Sequence, residues 1–293
     1  MLAEFVDRES EMARFCEMLD SREISVFAVW GGGGVGKSSL QAKMIHEVAS
    51  RKLAKSEVLW SETRNHDLMA ITRKIRDDFG LEAFSSFTDL VNFYTVPKHE
   101  LTVNITGGGR IEVLSGAGIT DSKVGDVAGI MIKDLMLTEP RSDMQVSESE
   151  RRARLTDAFI EGMAKSLADR PAVVFFDATE KMTEEVEDWV WHELLTAACD
   201  GKMGQVKFVL CGRKEPKIGR IWRSSMEVTE LEPLSEEHVI AYLERRGVEE
   251  AYREALADMM LPASKGSMLA LATFVDDYLR RRKRRLRDEG GSG

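Results

Sequence analysis

The residues best suited to chemistry stand close together near the start of the chain. In AVWGGGGVGKSSLQAK, residues 28–43, Gly31, Gly36, Lys37 and Ser38 follow the spacing GxxxxGK[ST]. Glycine loses more backbone freedom on folding than any other residue, so a run of four is kept where something must approach the main chain closely. An apolar run before it, ISVFAVW at 24–30, reads as a strand, and Leu40, Met44 and Val48 after it repeat at helical spacing. Between a strand and a helix, such glycines let backbone N–H groups wrap a phosphate chain at the positive end of the helix dipole. The expected binding residues are Gly31, Gly33, Gly34, Val35, Gly36, Lys37, Ser38 and Ser39. Lys37 is expected to reach the β- and γ-phosphates, and Ser38 to place its hydroxyl on Mg²⁺. The competing reading is a glycine-rich turn with a chance lysine.

A phosphate loop of this kind needs an acid at a second strand end to complete the magnesium shell. The apolar run VVFFD supplies it as Asp177. Three residues on, Glu180 reads either as the base that positions water for attack on the γ-phosphate or as an exposed acid opening the next helix. VKFVLCGR places Arg213 just past another strand, where ligands of open parallel sheets collect. There an arginine can sense or neutralise a γ-phosphate; the alternative is a surface arginine. Other constellations fail: HELLT at 192–196 starts like HExxH but has Thr196 at the second histidine position, and no GxSxG occurs. The glycines of GGGR at 107–110 lack the following Lys-Ser of a second phosphate loop.

The elements that must position these residues alternate. Met12, Phe15, Cys16 and Leu19 predict a helix over 11–20, VLW at 58–60 a strand, and Leu68, Ile71, Ile75 and Phe79 a helix face. Ser147 and Glu150 have capping-box spacing ahead of a helix striped by Leu155, Phe159, Met163 and Leu167. A helix is expected over 184–199, a strand at VKFVLCGR, and only helices from Leu231 onward, one of them capped by Ser235. Strand–helix alternation predicts an α/β fold with a parallel sheet sandwiched by helices. Between about 95 and 139 the pattern changes to apolar–polar alternation between glycine clusters, with Leu101, Val103, Ile105, Ile111 and Val113, which predicts β-hairpins on an inserted surface module. The expected domains are a phosphate-binding domain over 1–228 carrying that β-rich insertion, a small helical lid over 229–288, and a linker or tag over 289–293.

Composition bounds the rest. The net charge of −9 argues against a general nucleic-acid binder, whose phosphate contacts need a surplus of lysine and arginine. The basic run RRRKRRLR at 280–287 is local and reads as a solvated helix end or a DNA contact. Cys16, Cys199 and Cys211 form no CxxC pair, which points to a reducing compartment. No apolar run approaches the length needed to span a bilayer and no signal peptide is visible, so a cytoplasmic location is expected.

Taken together, these motifs resemble the nucleotide-binding module of the STAND class of signal-transduction ATPases, relatives of AAA+ proteins. FVDRESEM resembles the motif that precedes the P-loop there, which implies that Val6 and Arg8 lie near the adenine. GGGGVGKSS resembles the Walker A motif, VVFFDATEK the Walker B motif, and VLCGR the strand ending in the sensor-1 arginine. LEPLSEEHVIAYL resembles the entry to the lid. KGSMLALATF resembles its GLPLAL motif, with Gly266, Leu269, Ala270 and Leu271 in register. The resemblance covers 1–95 and 140–285. Met268 stands where the family has the proline that packs on adenine, which implies altered nucleotide affinity or exchange. Arg8 follows Asp7 where glycine is common, and Lys181 stands where a further acid is usual, which implies slow hydrolysis. No winged-helix domain or repeat sensor follows the lid, so the chain reads as truncated.

Two functions of different class stay open at this point. One is an ATP-hydrolysing switch, with ATP or ADP and Mg²⁺ as cofactors, that assembles as a homo-oligomer or within a larger protein whose sensor and effector domains lie elsewhere. The other is a non-hydrolysing scaffold stabilised by nucleotide. A third, an origin-recognition-like ATPase on DNA, rests on the basic run alone.

Overall fold

None of the short apolar runs can shield both its faces alone. In the computed structural model three of them, with two less apolar strands at the edges, join edge to edge as one parallel sheet. The structure describes residues 8–60, 67–95, 102–106, 110–114, 147–166, 171–216 and 224–290. The strands are β1 (Val26–Trp30), β2 (Ala54–Leu59), β3 (Thr102–Thr106), β4 (Arg110–Leu114), β5 (Ala172–Asp177), β6 (Val206–Gly212) and β7 (Met226–Glu230). The parallel sheet has the order β2-β5-β6-β1-β7. Its register sets Leu59 beside Asp177, Phe176 beside Leu210, and Trp30 between Gly212 and Glu230. The strands therefore finish level, and Gly31, Ala178 and Arg213 leave the sheet side by side.

Helices cover both faces. On one, α1 (Glu9–Asp20) and α2 (Lys37–Ser50) bury Phe15, Met18, Leu40, Met44 and Val48 against Phe27, Val29, Val173, Phe175, Val209 and Cys211. Fully burying one such phenylalanine or methionine contributes about 1.5–3 kcal/mol. The alternate strand residues form the other face, where Phe176 stacks on Phe208 with ring centres 6.2 Å apart. Two further helices follow β2 in the chain, α3 (Leu68–Phe79) and α4 (Ser85–Thr95), and α5 (Glu148–Ser166) precedes β5. Glu150 N–H donates to Ser147 Oγ at 3.2 Å, half of the expected capping box.

The segment expected to be one helix over 184–199 is three pieces: α6 (Glu184–Trp189), a π-helical turn (Val190–Leu194) and α7 (Leu195–Cys199). The wider turn buries Trp189 and Val190 together with Leu194 and Leu195 and leaves His192 at the surface. β7 lies just before Leu231, in a stretch for which the sequence suggests no element, and from Leu231 onward the described elements are helices, as expected. Its MEVTE pattern is half-buried because it is an edge strand, so it carries no apolar run to read. β2 likewise begins at Ala54, earlier than VLW suggests, since its first residues pack on one side only.

Ser86–Leu155 form a contact unit of their own. Within it β3 and β4 pair antiparallel, with Val103 opposite Val113 and Ile105 opposite Ile111. Arg151 there lies over the Tyr94 ring, 5.6 Å from its centre. Leu101 and the expected insertion beyond residue 114 lie outside the described residues.

The last three helices, α8 (Glu236–Arg245), α9 (Glu250–Ser264) and α10 (Met268–Gly290), enclose a second core of Leu234, Val239, Tyr242, Leu243, Ala257, Met260, Leu271 and Val275. Ser235 caps α8 by accepting His238 N–H at 3.4 Å. Among the described residues no helix is long and apolar enough to cross a membrane.

Candidate functional site

The glycine loop bridges β1 and α2, with the exposed Gly32 and Gly33 at its crest. Its flanks are crowded by residues far along the chain, one by main chain and the other by a side-chain hydroxyl. A methyl group on Gly31 would stand 2.5 Å from the Leu231 carbonyl oxygen. One on Gly34, whose φ is +82°, would stand 2.2 Å from Ser267 Oγ. The Gly34 carbonyl accepts Leu269 N–H at 3.4 Å, while Leu231 N–H donates to Trp30 O at 2.7 Å. The loop is thus clasped between the chain entering the lid and the start of α10. Met268 stands there too, its Cβ 3.9 Å from the position a Gly36 Cβ would take.

Lys37 bends back over the loop. Its Nζ donates to the Gly31 carbonyl at 2.8 Å and the Gly32 carbonyl at 2.6 Å. Burial pushes the ammonium pKa down, and Glu180 opposes that shift while Arg213 adds to it. Ser38 and Ser39 follow on the exposed first turn of α2.

The acids come from the neighbouring strand ends. Asp177 closes β5 and accepts Ala178 N–H on Oδ1 at 2.8 Å. Burial raises its pKa and nearby Glu180 adds to the rise, against the Ala178 N–H, Lys37 and Lys181. Glu180 sits on a single 3₁₀ turn, Thr179–Lys181. One of its oxygens accepts the Arg213 backbone N–H at 3.1 Å and the other pairs with Arg213 Nε at 3.2 Å. Glycine at 212 is what lets that turn close in, since a methyl there would lie 2.1 Å from Thr179 Oγ1. The Arg213 guanidinium carbon is 3.8 Å from where a Gly33 Cβ would be, so this side chain lies between the loop crest and Glu180.

The strand order explains the gathering. β6 lies between β1 and β5, so its end delivers Arg213 midway between the glycine loop and Asp177. The structure brings the loop, Lys37, Asp177, Glu180, Arg213 and Met268 together. Val6 lies outside the described residues. Arg8 is buried and donates to the Glu232 carbonyl at 2.7 Å and the Val35 carbonyl at 3.4 Å, with Glu11 paired at 3.4 Å. It braces the loop to the lid entry. Leu231, Glu232 and Ser267 belong to the site and carried no signal in the sequence, because what they contribute is backbone or a small hydroxyl.

The set suits a polyphosphate and its divalent cation. The loop offers N–H groups around a crest with no side chains, Lys37 a desolvated ammonium, and Ser38 and Asp177 the hard oxygen donors that Mg²⁺ prefers.

No protein-family model matches the chain, and no curated protein does. Among solved structures, it is similar to Cdc6p from Pyrobaculum aerophilum, at 11% identity and a TM-score of 0.49, over 91% of this chain and 60% of that one. It is similar to a signal transduction ATPase with numerous domains and a tetratricopeptide repeat sensor from Pyrococcus horikoshii, at 16% identity and a TM-score of 0.44, over 91% and 29%. A third is the Drosophila ORC bound to DNA, at 10% identity and a TM-score of 0.48, over 90% and 58%. The chain spans less than two thirds of each. At such identities these likenesses concern the path of the chain. The chain itself shows an α/β fold, a five-stranded parallel sheet flanked by helices with the glycine loop between β1 and α2.

Proposed function

We propose that this chain binds ATP or ADP with Mg²⁺ and hydrolyses ATP slowly, as a switch that controls assembly of a larger protein. The observation that supports it is the convergence of Lys37, Asp177, Glu180 and Arg213 on one glycine loop by way of β6. Bound Mg²⁺ would offset charge on the phosphates, held through Ser38 and Asp177. Lys37 would exchange its two carbonyl partners for phosphate oxygens. Arg213, 65% exposed at its side chain, is free to swing from Glu180 toward a γ-phosphate. Glu180, once released, can accept a proton from an aligned water. The lid follows from the same contacts: Ser267 and Leu269 already touch Gly34, so a ligand in the loop is reported directly to α10.

In this reading residues 1–228 form the nucleotide-binding domain with its insertion and 229–288 the lid, in a cytoplasmic protein that acts in a homo-oligomer or larger assembly. A second reading, a nucleotide-stabilised scaffold without turnover, draws support from the ion pair that occupies Glu180 and from Lys181 beside it. Lys37→Ala tests what both share. It removes a charge-assisted contact of about 1.5–3 kcal/mol, so ATP affinity falls roughly tenfold or more in calorimetric titration. Unchanged affinity in a folded variant refutes the phosphate-loop reading.

A further inference from the structure

Beside this site lies a cavity of about 420 Å³, a size usual for small-molecule sites. No residue of the glycine loop lines it, nor do Asp177 or Arg213. Its floor is the sheet face turned away from α1 and α2, where Ala28 and Trp30 of β1 and Leu210 of β6 come up. One wall comes from residues 184–192. Glu184 and Glu187 stand one turn apart on the same side of α6. Beyond them the π-helical turn buries Val190 and Leu194 and still sends Trp191 to the cavity. Turns of this kind are frequent at functional sites.

The charge around this cavity is unbalanced. Glu180 is engaged by Arg213, and Asp188 stands 3.8 Å from His192 Nε2. Among the described residues Glu184, Glu187 and Glu215 make no ion pair, and Lys214 is the one lysine on the lining. Three carboxylates against one lysine leave a surplus of two negative charges. Among the described residues no three acidic, histidine or cysteine side chains come close enough to hold one metal ion. The carboxylates are therefore spread apart, and a single small cation would not satisfy them. A solvated acidic face needs no partner, but these carboxylates rim two indole faces inside a concavity. Carboxylates pair with ammonium groups, and indole is the aromatic face that attracts cations best. Leu210 and Met182 add apolar wall that suits methylene groups.

We propose that this cavity binds a linear aliphatic polyamine, a molecule in which ammonium groups alternate with methylene segments. Its ammonium groups pair with Glu184 and Glu187 on one side and Glu215 on the other, and its methylenes lie on Trp30 and Trp191. Two or three positive charges match the surplus. The ionic part of the binding weakens with salt, and the indole contacts keep the remainder. Glu180 lines the cavity and also holds Arg213, so an occupant neighbours the carboxylate that the proposed hydrolysis uses. The site itself does not depend on that hydrolysis.

The test titrates spermidine into the full chain without nucleotide, so its outcome is independent of how the glycine loop is read. Calorimetry should show one saturable site, and tryptophan fluorescence should change as it fills. Glu184→Gln with Glu187→Gln should weaken binding about tenfold or more. Trp191→Leu keeps an apolar side chain but loses the π face, so it should weaken binding by a few-fold and diminish the fluorescence change. Glu250→Gln with Glu254→Gln, on α9, which lines no part of the cavity, controls for general charge and should change nothing. Circular dichroism should show the variants folded. An absence of saturable binding overturns the proposal. So does binding that ignores the α6 pair or Trp191→Leu, or that the α9 pair weakens as much as the α6 pair. Displacement of spermidine by Mg²⁺ at matched charge equally overturns it, since a diffuse ion atmosphere and not the cavity walls would then hold the amine.

Discussion

The glycine loop and the Glu180–Arg213 pair meet at the ends of the same strands but are held by different means. The loop is walled on both flanks, by the Leu231 carbonyl against Gly31 and by the Ser267 hydroxyl and the Leu269 N–H against Gly34. The pair is held by one largely solvent-facing arginine on a carboxylate. Close-packed walls do not rearrange cheaply, whereas an ion pair with a solvent-facing cation contributes about 0–1 kcal/mol and can be exchanged for another partner. On the proposed function, the half that would hold phosphate is therefore built in advance and the half that would hydrolyse is left adjustable, which would separate binding from turnover within a single site.

The largest effect should fall on the adjustable half. Glu180→Gln keeps the shape of the side chain but cannot accept a proton. Phosphate release in a single turnover should drop about 10²–10⁴-fold, with ATP affinity held within a few-fold. If the parent itself releases no more than Lys37→Ala, the scaffold reading wins. If Glu180→Gln matches an active parent, the residue that positions water lies elsewhere.

Gly34→Ala probes the walled half. The added methyl meets Ser267 Oγ at a left-handed φ, so urea unfolding should show a loss of about 1–3 kcal/mol. Ser267→Ala in the same chain should recover part of it, since it removes the atom in the way. No recovery would assign the loss to the backbone alone.

Arg213→Ala should leave unfolding nearly unchanged, because the arginine side chain is largely exposed and Glu180 keeps its hydrogen bond from the backbone N–H of residue 213. It should narrow the preference for ATP over ADP by a few-fold, since only ATP offers the γ-phosphate. Affinities for both nucleotides, measured side by side, decide it.

Asp177→Asn should have the smallest effect and the opposite sign. Burial raises the Asp177 pKa above its value in the unfolded chain. Such a group contributes stability at pH below the unfolded value, and the contribution is lost as pH rises through the folded one. Asparagine keeps the oxygen that accepts Ala178 N–H and carries no charge to desolvate. Without Mg²⁺, the melting temperature of Asp177→Asn should exceed that of the parent by a margin that grows from about pH 4 to pH 7. A margin that shrinks over that range contradicts the buried-carboxylate account.

The loop could be read from the sequence because its chemistry resides in residue types at fixed spacing. Lys37, Ser38 and Asp177 need no tertiary knowledge to be named. The Glu180–Arg213 contact could be suspected as two separate strand-end residues, but their pairing depends on β6 lying between β1 and β5, which no local pattern encodes. The clasp was invisible for the same reason: Leu231 and Glu232 act through their carbonyls, and every residue has one. β7 went unread because an edge strand buries little and needs no apolar run. The π-helical turn went unread because an extra residue shifts helical periodicity without abolishing it.

The place of β1 in the sheet bears on how the protein is made. β1 and its loop are synthesised long before both their hydrogen-bonding neighbours, residues 206–212 and 226–230. Arg8 likewise waits for Glu232, and the carbonyls of Ser21 and Ile24 wait for Lys207. Contacts so distant in sequence form late, after the loop-closing entropy has been overcome. On the ribosome, the glycine loop would leave the exit tunnel long before it has walls. The walls of this loop are thus complete only once the start of α10 is in place, and a stalled chain ending short of β7 would carry the whole glycine motif without them.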